Sequence, residues 1–279
     1  GSENAQMEVQ GDTRHRANYA VVYSMLQLGH GFRRELHAAV GGGASKTMTS
    51  GMNSLATGSL DATRLANLTM AEIDSHFKIP SSSALDPLRK QVLECLNEAG
   101  RGVLAAGEVD FHDLVRKAAL ACPERPADTV VSALAAAVPC FNDLGEASDG
   151  TAVCLYKKAI LAATELHRTL GSVDSAFHYA DIANAPAVVD NVVPAMLCKS
   201  GVLTMAEALE QRVRSKCDLP RGVEEAELRA CAIAAIERIS QQTGGKLAPT
   251  ELSTYLWLIG KDGDNRTWER HHTKDTVFY

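Results

Sequence analysis

The feature that most limits what this chain can fold into is the spacing of its apolar residues, which recur every three or four positions along almost its whole length. Val21, Met25 and Leu28 follow this spacing near the start, and residues 86–103 repeat it. Such spacing places apolar side chains on one face of an α-helix. The alternation of apolar and polar residues that is typical of half-buried strands is scarce. The sequence therefore predicts an all-α fold, a compact domain of many helices.

Capping residues and prolines predict where several helices begin and end. Thr69 and Glu72 have the spacing of a capping box at a helix start. A proline suits the first turn of a helix, whereas a proline after an apolar run ends one. Helices are predicted to open near Thr69 and at Asp86, to cover Phe111–Ala121, Thr129–Val138 and Val153–Leu170, and to follow Pro194.

The length and composition of the chain suit one folded body. With 279 residues, of which 46% are hydrophobic, the chain can bury one large core or two smaller ones. Residues 1 to about 15 are polar and lack the helical spacing that follows them. We therefore expect a disordered N-terminal tail over residues 1–15 and a single all-helical domain over residues 16–279.

The charge balance narrows the class of ligand. The formal net charge is −6 and the isoelectric point is near 5.9. Proteins that grip long nucleic acids do so through clustered Lys and Arg residues, so direct binding of a DNA or RNA duplex is not expected. A small-molecule substrate fits this balance better, bound by a monomer or a weak homo-oligomer.

Cysteine use and hydropathy indicate the compartment. The seven cysteines form no C-x-x-C pair and are odd in number, which is typical of reduced thiols. No apolar run approaches the roughly 18 residues that a membrane helix needs, so no membrane association is expected. We expect a cytoplasmic location, with the alternative that an organellar targeting sequence has been removed.

Two common kinds of site are disfavoured by spacing. Residues 41–47, GGGASKT, differ from a phosphate-binding P-loop because Ser45 rather than glycine precedes Lys46 and the upstream element is helical. The backbone N–H groups of this loop, with Arg33 or Lys46, can still receive a phosphate, and a mobile surface loop is the alternative. No group of His, Cys and carboxylate residues has metal-ligand spacing, so neither a metal nor another cofactor is expected.

The stretch Val188–Leu203 contains the strongest candidate for a catalytic residue. Asp190 stands at the head of an apolar run in which Pro194 marks a helix entry and Gly201 an end. One alternative is a helix cap, whose charge is favoured by free backbone N–H groups. The other is a carboxyl desolvated by its valine neighbours, whose pKa is raised toward the range of a general base.

Two further segments contain candidate binding residues. Gly29-His30-Gly31-Phe32 forms a glycine turn that either displays His30 and Phe32 to a ligand or only joins two core helices. The adjacent Lys157 and Lys158 lie on a predicted helix, where they either form a solvated face or, beside Asp190, bind a phosphate or pair with the carboxylate.

Several motifs together resemble the queuosine salvage family, the queuosine 5'-phosphate N-glycosylases. The segment Asp-Asn-x-Val-Pro runs from Asp190 to Pro194 and leads into Gly-Val-Leu at residues 201–203. Tyr-Lys-Lys-Ala at residues 156–159 is similar to the family's Tyr-Lys-Arg-Ala. Leu256-Trp257 before a glycine and the ending from His272 to Tyr279 match further motifs, so the resemblance spans roughly residues 21–279.

The resemblance implies a fold similar to helical DNA glycosylases and an activity. It implies an N-glycosidase that hydrolyses queuosine 5'-monophosphate, or a related modified nucleotide, to free queuine base and ribose 5-phosphate, in queuine salvage for tRNA modification. Asp190 matches the catalytic residue, which either stabilises the oxocarbenium ion or activates water. His30, His178 and His272 are candidates to neutralise the leaving base. The residues implied to bind substrate are Val189, Asn191, Lys157, Lys158, Tyr156, His30, Phe32, Ser253, Trp257 and His272.

The sequence departs from the family pattern at positions that shape the base pocket. Val189 replaces an aromatic residue before the catalytic Asp, Ser253 replaces an Asp, and Thr273 and Asp275 replace arginines. Loss of a stacking face removes roughly 1–3 kcal/mol of binding. The alternative function is therefore a catalytically silent helical protein that binds a nucleoside or nucleotide or serves as a scaffold. A DNA glycosylase is disfavoured by the acidic charge balance.

Overall fold

The computed structural model describes residues 11–279, and most of them are helical. A 3-10 turn at His30–Phe32 joins the first two helices. The α-helices of the first part are α1 (Thr13–Met25), α2 (Arg33–Val40), α3 (Ala44–Leu55), α4 (Ala62–Ala66), α5 (Met70–Phe77), α6 (Asp86–Ala105), α7 (Phe111–Ala121) and α8 (Pro126–Ala137).

The second part begins with a small antiparallel hairpin and returns to helix. In the hairpin, β1 (Leu144–Glu146) pairs with β2 (Ala152–Cys154), with Gly145 opposite Val153. The helices that follow are α9 (Lys157–Leu170), α10 (Val192–Lys199), α11 (Glu207–Arg214), α12 (Val223–Gln242) and α13 (Pro249–Ile259). A 3-10 turn at Gly263–Thr267 precedes the C-terminal segment. The all-α prediction is confirmed.

Several predicted helix boundaries agree with the structure. The capping box of Thr69 and Glu72 is present at the start of α5. Helix α6 opens at Asp86, and α7 has the predicted bounds. These boundaries depend on residues that lie within a few positions of one another, so the sequence alone determines them.

Other boundaries were predicted wrongly. Helix α9 begins at Lys157 rather than Val153, because residues 152–154 pair as β2 and Tyr156 has a left-handed backbone with φ of 42°. Helix α8 begins at Pro126, before the predicted Thr129, and α10 begins at Val192 rather than after Pro194. Both prolines lie in a first turn, where the missing N–H has no partner to lose.

The apolar side chains form two main cores. The larger core is built by α1–α9, with α1 packed along α9. The second core lies between α10, α12 and α13. The segment that leads into α10 contributes Val189 and Val192 to the second core, so Asp190 lies where the two cores meet.

The N-terminal segment is ordered earlier than the predicted tail allows. Residues 1–10 of that tail lie outside the described residues. Within the described part, the Asp12 carboxylate accepts the N–H of His15 and caps α1, which begins at Thr13. Arg14 then donates to Asp110 and Asp113 at the start of α7. Capping and these ion pairs fix residues 12–15 on the larger core. The assignment of residues 16–279 to one domain stays a prediction.

The helices of the described residues are short or interrupted by charge. None of them is both long enough and apolar enough to span a bilayer.

Close helix packing at Gly100 provides a test of the fold. A Cβ atom at Gly100 in α6 would lie 2.3 Å from the backbone N of Ala66 and 2.4 Å from the carbonyl oxygen of Ala62 in α4. We expect Gly100→Ala to lower the free energy of unfolding by about 1–3 kcal/mol, because two backbones must separate. Urea denaturation measures this change.

The matched control is Gly222→Ala. A Cβ atom there meets no other atom within 4 Å, so the free energy of unfolding should change by less than about 0.5 kcal/mol. A Gly100→Ala protein as stable as the parent would contradict the close approach of α4 and α6.

Candidate active site

Asp190 lies buried between the two cores, with both carboxylate oxygens held. Its side chain is about 2% exposed. Oδ1 accepts the backbone N–H of Val192 at 2.7 Å, and Oδ2 accepts the indole N–H of Trp257 at 3.0 Å. The imidazole Nδ1 of His30 lies 3.5 Å from Oδ2. Helices α10 and α13 and the turn after α1 therefore fix this carboxylate.

The protonation of Asp190 decides between the two alternatives that the sequence left open, a charged helix cap and a carboxyl whose pKa is raised. Burial by itself raises the pKa of this carboxyl. The neighbouring His30 and Lys157 and the N–H of Val192 outweigh burial and lower the pKa to about 2. The structure thus favours a charge stabilised at a helix start, and it places the pKa far below the range of a general base.

His30 is a largely buried and neutral histidine beside this carboxylate. Burial, opposed by the charge of Asp190, lowers the pKa of the imidazole to about 3, so the ring is uncharged at pH 7. Its Nδ1 has no hydrogen-bond partner within the described residues. Buried polar atoms are almost always paired, so a free one next to a carboxylate marks a place where a ligand or water binds.

The rest of the glycine turn is built into the fold. Gly29 has a left-handed backbone with φ of 86°. A Cβ atom at Gly31 would lie 2.2 Å from the carbonyl oxygen of Thr273, so the turn packs directly on the C-terminal segment. Phe32 is buried in the larger core rather than displayed. Of the two expected site residues in this turn, only His30 lies beside Asp190.

The two adjacent lysines are both buried but differ in their hydrogen bonding. Lys157 and Lys158 are both buried, so the alternative of a solvated face is wrong. Lys157 Nζ donates to the carbonyl of Gln27 at 3.4 Å. Burial lowers its pKa to about 8, and the charge of Asp190 opposes this shift. Lys158 Nζ has no hydrogen-bond partner in the described part of the chain.

Tyr156 is half-buried directly before α9 and packs against the larger core. Its left-handed backbone turns the chain from β2 into the helix. This turn sets the direction in which Lys157 enters the site.

The backbone around Asp190 is clamped from three directions. Arg229 Nε donates to the carbonyl oxygen of Val189 at 3.2 Å. The side chain of Asn191 donates to the carbonyl of His271 at 2.9 Å. The hydroxyl of Ser253 accepts the N–H of Val188 at 3.1 Å. Val189, Asn191 and Ser253, which were expected to bind substrate, thus hold the position of Asp190 through these contacts.

Arg229 is itself part of a buried network of charges. It is 1% exposed, and its guanidinium binds both oxygens of Asp143, at 2.5 and 3.2 Å, and Glu225 at 3.2 Å. It also lies 4.8 Å from the ring centre of Tyr279. Burial opposes the charge of Arg229, but the two carboxylates outweigh it and keep its pKa above the ordinary value.

Trp257 links Asp190 to a lysine that sequence reasoning missed. The Lys261 ammonium lies 3.1 Å from the centre of the indole ring whose N–H binds Asp190. Burial lowers the pKa of Lys261 to about 7, against the opposing charge of Asp190. The sequence offered one signal, because Lys261 directly follows Gly260 of the Leu-Trp-x-x-Gly motif.

The other two candidate histidines do not contact Asp190. His178 is exposed, with its ring 5.3 Å from that of His167. His272 is buried, and its carbonyl accepts the N–H of Leu219. Burial and the nearby Arg34 lower its pKa to about 4. His271 was not singled out from the sequence; its imidazole lies 3.1 Å from the hydroxyl of Tyr279.

One group of described residues has its side-chain donors close enough together to hold a metal ion, namely Asp110, His112 and Asp113. Arg14 donates to both carboxylates, and Asp110 also accepts from Asn18 and caps α7. This network supports the start of α7 and is separate from Asp190.

Comparisons with known proteins point to one family. The sequence profile described as queuosine salvage protein matches residues 46–279. Two relatives are each named queuosine 5'-phosphate N-glycosylase/hydrolase. The one from Sphaerobacter thermophilus is 27% identical over 224 residues, and the one from Bos taurus is 23% identical over 233 residues. Each match covers 78% of this chain and 66% or 65% of the relative, so the chain spans just under two thirds of their lengths.

The Arg229 network predicts a large difference between two arginine substitutions. Arg229→Met leaves Asp143 and Glu225 buried without their cation, so we expect the free energy of unfolding to fall by about 3–5 kcal/mol. Arg212 pairs with Glu224 on the surface of the same region, and Arg212→Met should cost less than about 1 kcal/mol. Urea denaturation of both variants measures the difference, and equal losses would contradict the role of burial.

Proposed function

The chain belongs to the queuosine salvage protein family, and we propose that it hydrolyses the N-glycosyl bond of queuosine 5'-monophosphate or of a related modified nucleotide. The products are free queuine base and ribose 5-phosphate. This activity serves queuine salvage for tRNA modification. The observation that carries the proposal is the ionised, buried carboxylate of Asp190, held by two N–H groups beside the free Nδ1 of His30.

The chemistry of the reaction fits a fixed negative charge. When the bond between ribose C1' and the base nitrogen breaks, its electron pair leaves with the base and positive charge develops on the sugar. A preorganised carboxylate in a buried site stabilises this charge without having to reorient. Because its pKa is about 2, Asp190 serves in this proposal as an electrostatic stabiliser of the oxocarbenium ion rather than as a proton acceptor.

Water completes the reaction by adding its oxygen to C1', while its proton balances the charge on the departing base. We assign to His30 Nδ1 a hydrogen bond to this water or to a ribose hydroxyl. Its neutral imidazole can donate or accept, and its distance of 3.5 Å from Asp190 brings the bound group close to the carboxylate.

The proposal includes the setting in which the enzyme works. A cytoplasmic location fits the reduced cysteines, which are free in the described residues. The net charge of −6 supports a small nucleotide rather than a nucleic acid duplex as the ligand. We propose a monomer or a weak homo-oligomer.

The direct test is incubation with queuosine 5'-monophosphate, following free base by mass spectrometry. We expect release by the parent, and a loss of at least about 100-fold in kcat for Asp190→Asn, because this substitution removes the charge and keeps the shape. The matched control is Asp149→Asn, since Asp149 is an exposed aspartate whose carboxylate accepts hydrogen bonds from Thr151 in the loop between β1 and β2. The control should keep the parent rate.

Two results would overturn the proposal in different ways. Equal rates for the parent and Asp190→Asn would remove Asp190 from the reaction. No release by the parent, together with a rise in Tm when the nucleotide is added, would establish the catalytically silent binding protein. That second function is favoured by Ser253, whose hydroxyl is already used by Val188 and Thr250 and is not available to a base.

The lowered lysine pKa values predict the pH dependence of the reaction. The pKa of Lys261 is about 7 and that of Lys157 is about 8 in the unliganded protein. Each loses a positive charge as the pH rises, which weakens attraction of the anionic substrate. We therefore expect kcat/KM to fall between pH 7 and pH 9.

The variant Lys261→Arg distinguishes the contributions of Lys261 and Lys157 to this pH dependence, because arginine stays charged between pH 7 and pH 9. The fall in kcat/KM should then begin nearer pH 8, where Lys157 titrates. A kcat/KM that stays constant from pH 7 to pH 9 in the parent would contradict a role for these charges.

A further inference from the structure

Four cations lie close to one another beside α13 and the C-terminal segment, and the charge of Asp190 acts on two of them, Lys261 and Arg270. They come from three separate parts of the chain, the start of α2, the residue after α13 and the region of the last 3-10 turn. We refer to them as the basic cluster, which consists of Arg33, Lys261, Arg266 and Arg270.

Two hydrogen bonds and one ring contact connect the basic cluster internally and to Trp257, the hydrogen-bond partner of Asp190. Arg33 donates to the carbonyl of Arg266 at 3.0 Å. Arg270 donates through Nη2 to the carbonyl of Gly260 at 2.6 Å, and Gly260 directly precedes Lys261. Lys261 covers the indole ring whose N–H binds the Asp190 carboxylate, as described above. Lys261 and Arg270 therefore lie near the candidate catalytic group, whose negative charge favours the charged form of both, and Arg33 and Arg266 extend the cluster away from it.

The cations of the basic cluster form no close ion pairs among the described residues, although the charges of Asp190 and Glu269 act on Arg270 from farther away. Within residues 11–279, none of its four cations forms an ion pair within 4.0 Å. The nearby Glu269 pairs instead with Arg34 at 3.8 Å and with Lys216 at 3.2 Å. Both oxygens of Asp190 are occupied by N–H groups of Val192 and Trp257.

Arg270 is the buried member of the cluster, and its guanidinium has an N–H group without a hydrogen-bond partner among the described residues. Its residue is 6% exposed, and its Nε is buried without a hydrogen-bond partner in the described part of the chain. Burial and the like charge of Arg33 lower the pKa of this guanidinium to about 10. Charges buried in proteins are normally paired, so an unpaired N–H on a buried guanidinium indicates the position of a missing anion.

We propose that the basic cluster binds the 5'-phosphate of the nucleotide, with Arg270 Nε as the central donor. This inference rests on the proposed function and adds which residues recognise the phosphate monoester. Guanidinium groups match phosphate oxygens in geometry, and four cations exceed the charge of a dianion. Anchoring the phosphate here holds the ribose over Asp190, so binding energy far from C1' positions the reacting bond.

This placement differs from the lysine pair and the glycine-rich loop that the sequence suggested for a phosphate. Lys157 donates to the carbonyl of Gln27, and Lys158 lies near the buried thiols of Cys95 and Cys140, whose pKa values its charge lowers. Arg33 is still assigned to phosphate binding. It is placed there by its hydrogen bond to Arg266 and not by the loop at residues 41–47.

The first experiment measures binding without catalysis. Ribose 5-phosphate and ribose are titrated separately into the parent, Arg270→Gln and Arg33→Gln by calorimetry. We expect the parent to bind ribose 5-phosphate and each variant to bind it at least about tenfold more weakly, since a hydrogen bond to a charged group is lost. Arg33→Gln serves where Arg270→Gln does not fold. The matched control is Arg125→Gln, which breaks only an exposed pair with Asp128 and should bind as the parent does.

The second experiment compares kcat/KM for the nucleoside 5'-monophosphate with that for the nucleoside. The ratio should exceed one in the parent and fall at least about tenfold in the two cluster variants. A purely structural role would lower both values equally and leave the ratio unchanged, which would overturn the inference. Parent-like affinity for ribose 5-phosphate in both variants would overturn it as well.

The binding experiment separates this inference from the proposed function. If the parent binds ribose 5-phosphate through Arg270 but releases no base, the phosphate site stands and the hydrolase does not. If base is released but the cluster variants keep the parent affinity and ratio, the hydrolase stands and the phosphate lies elsewhere.

Discussion

The structure depends on keeping one carboxylate charged where two apolar cores meet. Removing Asp190 from water is costly, and its ionised form survives only because donors arrive from several elements. The N–H of Val192 comes from α10 and the indole N–H of Trp257 from α13, and the positive charge of the Lys157 ammonium acts on the carboxylate from α9. The arrangement of these helices is therefore also the arrangement of the site.

A second buried charge, the guanidinium of Arg229, fixes the backbone next to Asp190. Arg229 on α12 reaches the carbonyl next to Asp190 and is itself neutralised by Asp143, which precedes the small hairpin, and by Glu225 on its own helix. Tyr279, at the end of the described segment, covers the guanidinium. The hairpin, α12 and the C-terminal segment thus contribute to catalysis in the proposed mechanism by fixing backbone rather than by touching substrate.

Local signals in the sequence predicted most of the helices, and the family resemblance singled out Asp190 as a candidate, whereas non-local effects account for what was missed. The bounds of α7 and the capping box of α5 depend on neighbouring residues alone. The direction of the Asp190 pKa depends on donors more than 30 residues away, so the sequence left it open. Lys261 and Arg270 were not singled out from the sequence, because their burial arises only when the C-terminal segment returns to Gly260.

Family-like motifs also proved to have more than one physical cause. The second glycine of the Gly-His-Gly turn is required by the contact of Gly31 with the Thr273 carbonyl, whereas His30 beside it faces the carboxylate. Ser253, at a position where the family has an acid, binds the backbone of Val188. A motif read from sequence therefore mixes residues that meet the ligand with residues that only permit the close packing around it.

The depth of Asp190 has a kinetic consequence. In the proposed reaction, a carboxylate this enclosed meets the nucleotide only after the surrounding side chains have moved, so a conformational opening would precede arrival of the ligand. Association should then be slower than diffusion permits and should report the frequency of that opening. The same burial would keep bulk solvent away from the oxocarbenium ion of the proposed reaction, so that only a water bound within the site could add to C1'.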